Sequence, residues 1–230
     1  MSDRKRPIGP IVDPLPPGLA PDLRPLFGRW VRLEPVVAAS HGRDLYESFA
    51  TSDPEGAVWT YMGYGPFADF DTFQAWLAKQ EESRDPWFYA FIRRDTDKAA
   101  GMGAFMRLDK ANGVIEIGHI WMSPHLQKTR EATEAIYLMM RHCFDDLGVR
   151  RLEWKCHSLN APSRKAAERF GFSYEGIFRQ HLIVKGRNRD TAWYAMIDKE
   201  WPQMTARFQA WLRDENFDEM GRQKSPLLRN

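Results

Sequence analysis

The pattern of hydrophobic and polar positions predicts a strand, a turn and a helix over residues 113–147. The stretch 114–122 is rich in β-branched and aromatic residues, which is typical of a buried strand. Ser123-Pro124 ends that strand. Apolar residues then recur at helical spacing at Ile136, Met140, Cys143, Phe144 and Leu147. The helix therefore begins between residues 129 and 132, and Gly148 is a natural residue for its end.

The same patterns elsewhere predict six more strands and four more helices. The strands cover 30–35, 87–92, 99–108, 151–156, 172–184 and 191–197. The helices cover 38–50, a segment that begins near 69, 160–171 and about 201–217. Hairpins followed by strand–helix–strand units predict a mixed, partly antiparallel α/β (α+β) sheet of about seven strands, with helices on both faces.

The chain divides into three segments by composition. Residues 1–28 form a proline-rich arm, and the central domain covers 29–200. The arm is expected to be extended, either on this domain or on a partner subunit, and plain disorder is the alternative. Residues 201–230 are predicted to form a C-terminal helix followed by a loose tail.

Composition narrows the class of protein. With 230 residues, 43% of them hydrophobic, the chain can bury one sizeable core, and its net charge of +2 does not require a nucleic-acid partner. The spacing of Cys143 and Cys156 fits no metal site, so we expect two reduced core thiols in a cytoplasmic protein. No stretch approaches the roughly 18 apolar residues of a membrane helix. We therefore expect no metal cofactor, no membrane partner and no nucleic-acid partner.

The start of the helix predicted after residue 129 has the properties of an anion site. Its first backbone N–H groups have no partner within the helix, and the helix dipole favours negative charge there. Lys128 and Arg130 lie at this end, where cations are poorly placed unless an anion is bound. A phosphate ligand is the expected anion, and a solvated basic turn is the alternative.

Four segments resemble one family. They are Glu116-x-Gly118, Gln127-Lys-Thr-Arg-Glu-Ala132 with Thr133-Glu-Ala135, Asn160-Ala-Pro-Ser163, and Gly171-Phe172. In this order they resemble the GNAT acetyltransferase superfamily and its RimJ/RimL-like branch, over roughly residues 32–198. Arg130 stands where the family pattern has a glycine.

The resemblance implies a reaction and a cofactor site. It implies transfer of an acetyl group from acetyl-CoA, as co-substrate, to a primary amine by direct attack in a ternary complex. The residues that the resemblance assigns to acetyl-CoA are Trp121, Met122, Ser123, Gln127, Lys128, Thr129, Arg130, Glu131, Ala132, Asn160 and Ser163. The central strand is expected to splay at a bulge near 121–123 and expose N–H groups to the thioester oxygen.

Glu116 and Ser163 are the predicted catalytic residues. The resemblance implies that Glu116 is a general base acting through water, and a structural salt bridge is the alternative. Ser163 is expected near the thiol, where it protonates the leaving thiolate, although helix capping alone would also explain it together with Asn160. Ala167 occupies the position of a tyrosine acid used by some members.

The acceptor site is predicted from a loop rich in aromatic residues. Trp59, Tyr61 and Tyr64 lie in a segment broken by glycine and proline, which in the family covers the acceptor, whereas simple packing is the alternative. His119 is a further candidate, as a second base or as a packing residue. Strand alternation puts His119 and Glu116 on opposite faces unless a bulge intervenes.

The expected acceptor is a peptide or a small molecule that bears an amine. The neutral form of a lysine-like amine costs about 4.6 kcal/mol at pH 7 and that of an α-amine about 1 kcal/mol, so a protein N-terminus comes first and a small amine second. One alternative is a non-catalytic GNAT-fold module that binds CoA or regulates. Another is RNA binding through a basic ribbon of Arg179, His181, Lys185, Arg187 and Arg189, which also suits acidic peptides or CoA phosphate and for which a solvated turn is the default explanation. The arm and the exposed aromatics are compatible with a homodimer.

Overall fold

The computed structural model describes residues 6–16 and 19–228. Its strands are β1 (Leu26–Phe27), β2 (Val31–Pro35), β3 (Trp87–Arg93), β4 (Ala99–Asp109), β5 (Val114–Met122), β6 (Arg151–His157), β7 (Ser173–Val184) and β8 (Arg187–Ile197). Its α-helices are α1 (Ala38–Ala50), α2 (Phe70–Glu81), α3 (Arg130–Arg141), α4 (Ala161–Arg169) and α5 (Trp201–Trp211).

All eight strands form one open sheet in the order β1-β2-β3-β4-β5-β6-β8-β7. Only β5 and β6 pair in parallel among the described strands. The predicted mixed, partly antiparallel sheet is confirmed, with eight strands where about seven were expected. The additional strand is β1, whose two residues lie in the proline-rich segment and are too few to show an alternating pattern.

Helices cover both faces of the sheet, as predicted, and each face has its own apolar core. On one face, Ile115 and Ile117 of β5 pack with Met139 of α3 and with residues of α4 and α5. On the other face, Trp121 of β5 packs with Phe49 of α1 and with residues of α2. The core in which a β5 side chain packs therefore shows which face of the sheet it occupies.

Parts of both terminal segments pack on this same domain. In the arm, Leu19 is 4% exposed, and Arg24 forms an ion pair with Asp146 at 2.6 Å. At the C-terminus, Leu227 is buried in the main core, so the prediction of a loose tail is wrong for the described residues. Residues 1–5, 17–18 and 229–230 lie outside the described part of the chain. No described helix combines the length and the apolar content that a membrane span requires.

Candidate active site

The parallel strands β5 and β6 part from each other in the middle of the sheet. Their pairing runs only from Val114↔Arg151 to Glu116↔Glu153. Beyond Glu116, β5 continues to Met122 and β6 to His157 without further pairing between them in the described structure. The backbone edge of β5 that faces β6 is thus left open, which creates a wedge in which a ligand can pair with the strand.

A bulge in β5 accompanies this parting. Ala104 of β4 pairs with Gly118, but Met102 pairs with Trp121, so two residues of β5 oppose Gly103 alone. His119 takes up the extra length with a positive φ of 50°. The splay was predicted near 121–123, and the structure corrects this: pairing with β6 ends at Glu116 and the bulge follows at 119.

The bulge places Glu116 and His119 on one face of the sheet. Glu116 points away from the face of Ile115 and Ile117 by strand alternation. The His119 ring lies parallel to that of Tyr64, at 5.6 Å and 10°, on the side of α1 and α2. The bulge that the sequence analysis named as the exception to strand alternation is therefore present, and the two candidate bases lie on the same face.

Glu116 lies within a buried network of charges. Its carboxylate is 2.9 Å from Lys155 Nζ and 3.2 Å from an Arg107 nitrogen, and the residue is only 4% exposed. Lys155 also reaches Glu153 at 2.6 Å and lies 4.0 Å over the ring of Trp193. The salt-bridge alternative is therefore present in the structure.

His119 is poorly suited to be the base near neutral pH. Burial, followed by the charges of Arg107 and Arg189, lowers the pKa of His119 to about 4. Its Nδ1 lies 3.3 Å from the hydroxyl of Tyr64. An imidazole with this pKa is neutral at pH 7 and accepts protons weakly, which argues against His119 as the general base.

The lowered pKa of His119 predicts an acid-sensitive stability. Its folded pKa of about 4 lies below the unfolded value of 6.5, so the unfolded state binds more protons between these two values. Stability is then fully present above pH 6.5 and falls as the pH drops towards 4. When the pH is lowered from 7 to 5, the unfolding free energy of wild type should fall by about 2 kcal/mol more than that of the His119→Gln variant. Urea unfolding at both pH values measures this difference, and equal losses in the two proteins would contradict it.

The aromatic loop between α1 and α2 contributes packing and one wall of the site. Trp59 is 1% exposed and packs against Phe49 and Trp121, at 5.0 and 5.1 Å. The core covers the Trp59 indole, so the structure corrects the prediction that this ring contacts the acceptor. Tyr64 stacks on His119, and burial raises its pKa. Tyr61 donates a hydrogen bond to the carbonyl of Leu159 at 3.2 Å, which ties the loop to the turn after β6.

The other end of the wedge is the N-terminus of α3. Thr129 caps this helix, since its Oγ1 accepts the N–H of Ala132 at 3.1 Å and its carbonyl accepts the N–H of Thr133. By helix geometry, the N–H groups of Arg130 and Glu131 then have no acceptor within the helix. Gln127 Nε2 donates to the carbonyl of Met122 at 2.9 Å and holds the loop against the end of β5.

Lys128 and Arg130 differ in what their side chains do. Lys128 is exposed, and its backbone is left-handed with φ 62°. Arg130 is the first helical residue, so the helical conformation that it needs does not call for the family's glycine. Its guanidinium is 2.8 Å from Asp214 and 3.5 Å over the ring of Phe217. The side chain therefore fastens the C-terminal segment, which corrects the expectation that it contacts phosphate.

Two of the remaining predicted cofactor residues have capping and bridging bonds. Asn160 Oδ1 accepts the N–H of Ser163 at 3.1 Å, which caps α4. Ser163 Oγ accepts the indole N–H of Trp154 at 3.0 Å. The capping alternative is thus present as well. Neither bond uses the donor protons of the Asn160 amide or the Ser163 hydroxyl.

The end of β5 contains polar atoms without a partner. Among the described residues, the indole nitrogen of Trp121 and the hydroxyl of Ser123 are buried and make no hydrogen bond. Buried polar groups are normally satisfied, so each such atom calls for an explanation. The Ser123 hydroxyl lies just beyond the end of β5, where a ligand along the wedge would supply a partner, whereas the Trp121 indole packs against Phe49 and Trp59. This favours a polar ligand along 121–123, as the resemblance implies.

Sequence reasoning missed Arg107, Lys155 and Trp193, which surround Glu116. A signal for Lys155 was available, because Arg151, Glu153 and Lys155 alternate along one face of β6. A buried Glu116 in the adjacent strand needs a cation, and Lys155 is within reach. For Arg107 and Trp193 there was no such signal, since their approach depends on register shifts and on the β7–β8 pairing.

The predicted basic ribbon is not one continuous surface. Lys185 donates from Nζ to the carbonyl of Trp59 at 3.0 Å. His181 lies 3.0 Å from Thr191, and Arg189 is largely buried. Only Arg179 and Arg187 of the five are exposed without such contacts in the described structure. This arrangement does not favour RNA binding along the hairpin.

Comparison with known proteins identifies the family. Residues 31–173 match the Acetyltransferase (GNAT) domain family. The structure resembles that of a GCN5-related N-acetyltransferase from Brucella melitensis with a TM-score of 0.87 and 49% identity, over 90% of this chain and 93% of that one.

Two curated relatives extend this comparison. Uncharacterized N-acetyltransferase p20 of Bacillus licheniformis is 31% identical over 154 residues, which cover 65% of this chain and 84% of the relative. The ribosomal-protein-serine acetyltransferase of Escherichia coli is 29% identical over 101 residues, which cover 44% of this chain and 56% of that protein. The family match, the eight-stranded sheet and the parted central strands agree, and the chain belongs to the GNAT acetyltransferase family.

Proposed function

We propose that this acetyltransferase moves the acetyl group of acetyl-CoA to a primary amine by direct attack in a ternary complex. The observation that carries the proposal is the parting of β5 and β6 at Glu116. It creates an open strand edge that leads from the capped N-terminus of α3 to a buried carboxylate. One end suits a pyrophosphate and the other suits proton transfer.

The residues along this edge fit acetyl-CoA. The free N–H groups of Arg130 and Glu131 suit the pyrophosphate, and exposed Lys128 adds a cation beside them. The unpartnered hydroxyl of Ser123 suits the polar arm of the molecule. Arg130 contributes through its backbone, since its side chain is bound to Asp214.

The transfer requires two proton movements. The neutral amine attacks the thioester carbon, the new C–N bond forms and the C–S bond breaks. Glu116, directly or through a water, takes the proton that the amine loses. The thiolate receives a proton from water, or from the Ser163 hydroxyl, which accepts the indole N–H of Trp154 and regains its own proton from water as Glu116 releases one to solvent.

The acceptor that the site suits best is an α-amine. Deprotonating an α-amine at pH 7 costs about 1 kcal/mol against about 4.6 kcal/mol for a lysine-like amine, so the α-amine needs less help from the site. A similar relative is a ribosomal-protein-serine acetyltransferase. We therefore place a protein N-terminus first and a small α-amine second.

The test combines binding with turnover. Calorimetric titration with acetyl-CoA, with desulfo-CoA alongside, should show micromolar binding. Initial rates of acetylation of a peptide N-terminus, with peptide and acetyl-CoA both varied, should give intersecting lines in double-reciprocal plots. Parallel lines would contradict direct transfer, and tight binding without transfer to any amine would support the non-catalytic module instead.

Two variants separate the roles of Lys128 and Arg130. Lys128→Asn keeps a residue that tolerates the left-handed backbone and removes the charge. We expect it to weaken acetyl-CoA binding by about tenfold, the effect of one charge-assisted hydrogen bond. Arg130→Ala should leave the affinity of the folded protein within about twofold, because the backbone N–H persists, but it should lower the unfolding midpoint through loss of the Asp214 contact. A large loss of affinity in Arg130→Ala alone would reverse this assignment.

A further inference from the structure

Resting on the proposed function, we infer that the acceptor amine carries a carboxylate, which binds to Arg107 and Arg189 beside Glu116. No role in the proposed transfer uses these two arginines. They belong to a cluster on the same face of the sheet as the candidate base. The cluster is defined by Arg107, Lys155, His181, Arg189 and Trp193 and is called the basic cluster below.

Strand register places the basic cluster beside the wedge. Thr191 of β8 pairs with His157, the last residue of β6, and Arg189 lies one step further along the same face. Trp193, on that face too, lies under Lys155, which contacts Glu116. Arg189 therefore projects where β6 has ended and β5 has already parted from it.

Arg189 and Trp193 have buried donors that nothing in the described structure satisfies. Arg189 Nε and Trp193 Nε1 are both inaccessible to solvent and make no hydrogen bond. Burial, with a smaller contribution from Arg107, lowers the pKa of Arg189, while Cys156 and Glu116 raise it. Buried donors on a cationic group are costly to leave unpaired, and an anionic acceptor would satisfy them.

The carboxylates nearest this point are already bound by other cations. Glu116 is shared by Arg107 and Lys155. Glu153, the second carboxylate on Lys155, is itself bound by Arg151 at 2.8 Å. Arg189 has no carboxylate within ion-pair distance among the described residues. Burial and the charges of Arg107, Arg189 and Lys155 lower the pKa of His181, so that ring does not add a competing charge at pH 7.

Arg107 offers the second binding group. Its guanidinium is half exposed and uses one nitrogen for Glu116, which leaves N–H donors for a ligand. Its backbone is left-handed with φ 51°, and its N–H donates to Asp85 at 2.9 Å, so its position is fixed. A planar guanidinium suits two-point binding of a carboxylate.

The surrounding loops limit the acceptors that can reach this site. Lys185 of the β7–β8 turn reaches the carbonyl of Trp59, and Tyr61 reaches that of Leu159. These contacts hold the aromatic loop against the hairpin and the turn after β6. The carboxylate can therefore belong to a small amino acid or to an acidic side chain next to a peptide N-terminus, but in either source it lies close to the amine.

Matched acceptor pairs test the inference. One pair is Ser-Glu-Ala-Ala and Ser-Gln-Ala-Ala, both amidated at the C-terminus, and the other is L-serine and L-serinamide. We expect kcat/KM to be at least about tenfold higher for the acid in at least one pair, which also identifies the source of the carboxylate. Serinamide has the less basic amine, which by itself would favour the amide. The acid preference should fall to about twofold or less in Arg189→Gln.

Arg187→Gln is the matched control. It removes the same charge two residues away on the same strand, where the side chain is exposed. It should keep the acid preference, whereas an equal loss in both variants would indicate general attraction and overturn the subsite. Acetylation without any acid preference would overturn the inference and leave the proposed function intact.

A binding experiment covers the case in which no amine is acetylated. Tryptophan fluorescence should report saturable binding of N-acetyl-L-glutamate, with at least about tenfold weaker binding of its diamide. Arg189→Gln should abolish this difference. Equal binding of acid and diamide to wild type would overturn the inference, whatever the outcome for acetyl transfer.

Discussion

Glu116→Gln is expected to lower kcat by about a hundredfold or more, while acetyl-CoA binding stays within about threefold of wild type. A positioned general base contributes roughly 10²- to 10⁴-fold to such a transfer, and glutamine removes the proton acceptor at nearly constant volume. Lys155 keeps Glu153 at 2.6 Å, so no cation is left alone in the core. Steady-state rates with saturating acetyl-CoA, and titration of the same samples, measure the two effects.

Glu153→Gln is the control for this variant. It removes the other carboxylate of Lys155 from the paired position on β6. If Glu116 acts as a base, the control should lose less than about tenfold in kcat. Similar losses in the two variants would mean that the charge network, and no single carboxylate, supports turnover. Unchanged turnover in Glu116→Gln would remove it from the mechanism.

The pH profile gives a second test of the same assignment. The protonated amine itself gives kcat/KM an acid limb that every variant keeps, so the base is sought in kcat at saturating amine, whose acid limb in wild type should disappear in Glu116→Gln. His119→Gln should retain that limb, because a buried imidazole of low pKa is neutral throughout the working range. If His119→Gln loses the limb and Glu116→Gln keeps it, the two residues exchange roles.

Local signals allowed much of the fold to be predicted from the sequence. Capping of α4 by Asn160 was one of the alternatives in the sequence, and its side chain accepts the N–H of Ser163; Asp69, near the predicted start of α2, accepts that of Thr72. The apolar run of β5 and the helical spacing of α3 likewise specified their elements. Such signals depend on neighbours within a few residues, which the sequence displays directly.

The details of the site depend on contacts across the chain, and these were not predicted. The bulge at His119 lies opposite Gly103 of the adjacent strand, so it is a property of the pairing between two strands. Arg130 pairs with Asp214, more than eighty residues away, so no neighbouring residue in the sequence indicates that its side chain binds the C-terminal segment. The surroundings of Glu116 likewise come from three different strands, β4, β6 and β8.

Glu134 was noticed only as part of a motif, yet its replacement is expected to have the largest effect on stability. The residue is 5% exposed on α3. Its carboxylate accepts three consecutive backbone N–H groups at the β1–β2 turn, from Arg29 at 2.8 Å, Trp30 at 2.7 Å and Val31 at 2.9 Å. A Cβ at Gly28 would lie 2.4 Å from this carboxylate, so the turn closes directly around it.

Glu134→Ala should therefore lower the unfolding free energy by about 3 kcal/mol or more. Each buried donor left without an acceptor costs roughly 1–3 kcal/mol, and water can reach only the more exposed Arg29 with ease. For a chain of this size the melting temperature should fall by about 6–12 °C. Urea unfolding, fitted for both midpoint and slope, measures the loss.

Glu131→Ala tests whether the loss belongs to the hydrogen bonds or to the helix. Glu131 lies one turn earlier on α3 and is 3.9 Å from Arg93, its only recorded ionic contact in the described structure. Its replacement should cost less than about 1 kcal/mol, as exposed pairs do. Glu134 holds α3 against the sheet two residues after Ala132, so its replacement should also weaken acetyl-CoA binding. If Glu134→Ala is as stable as wild type and binds acetyl-CoA equally well, water replaces the carboxylate at this turn and the prediction is wrong.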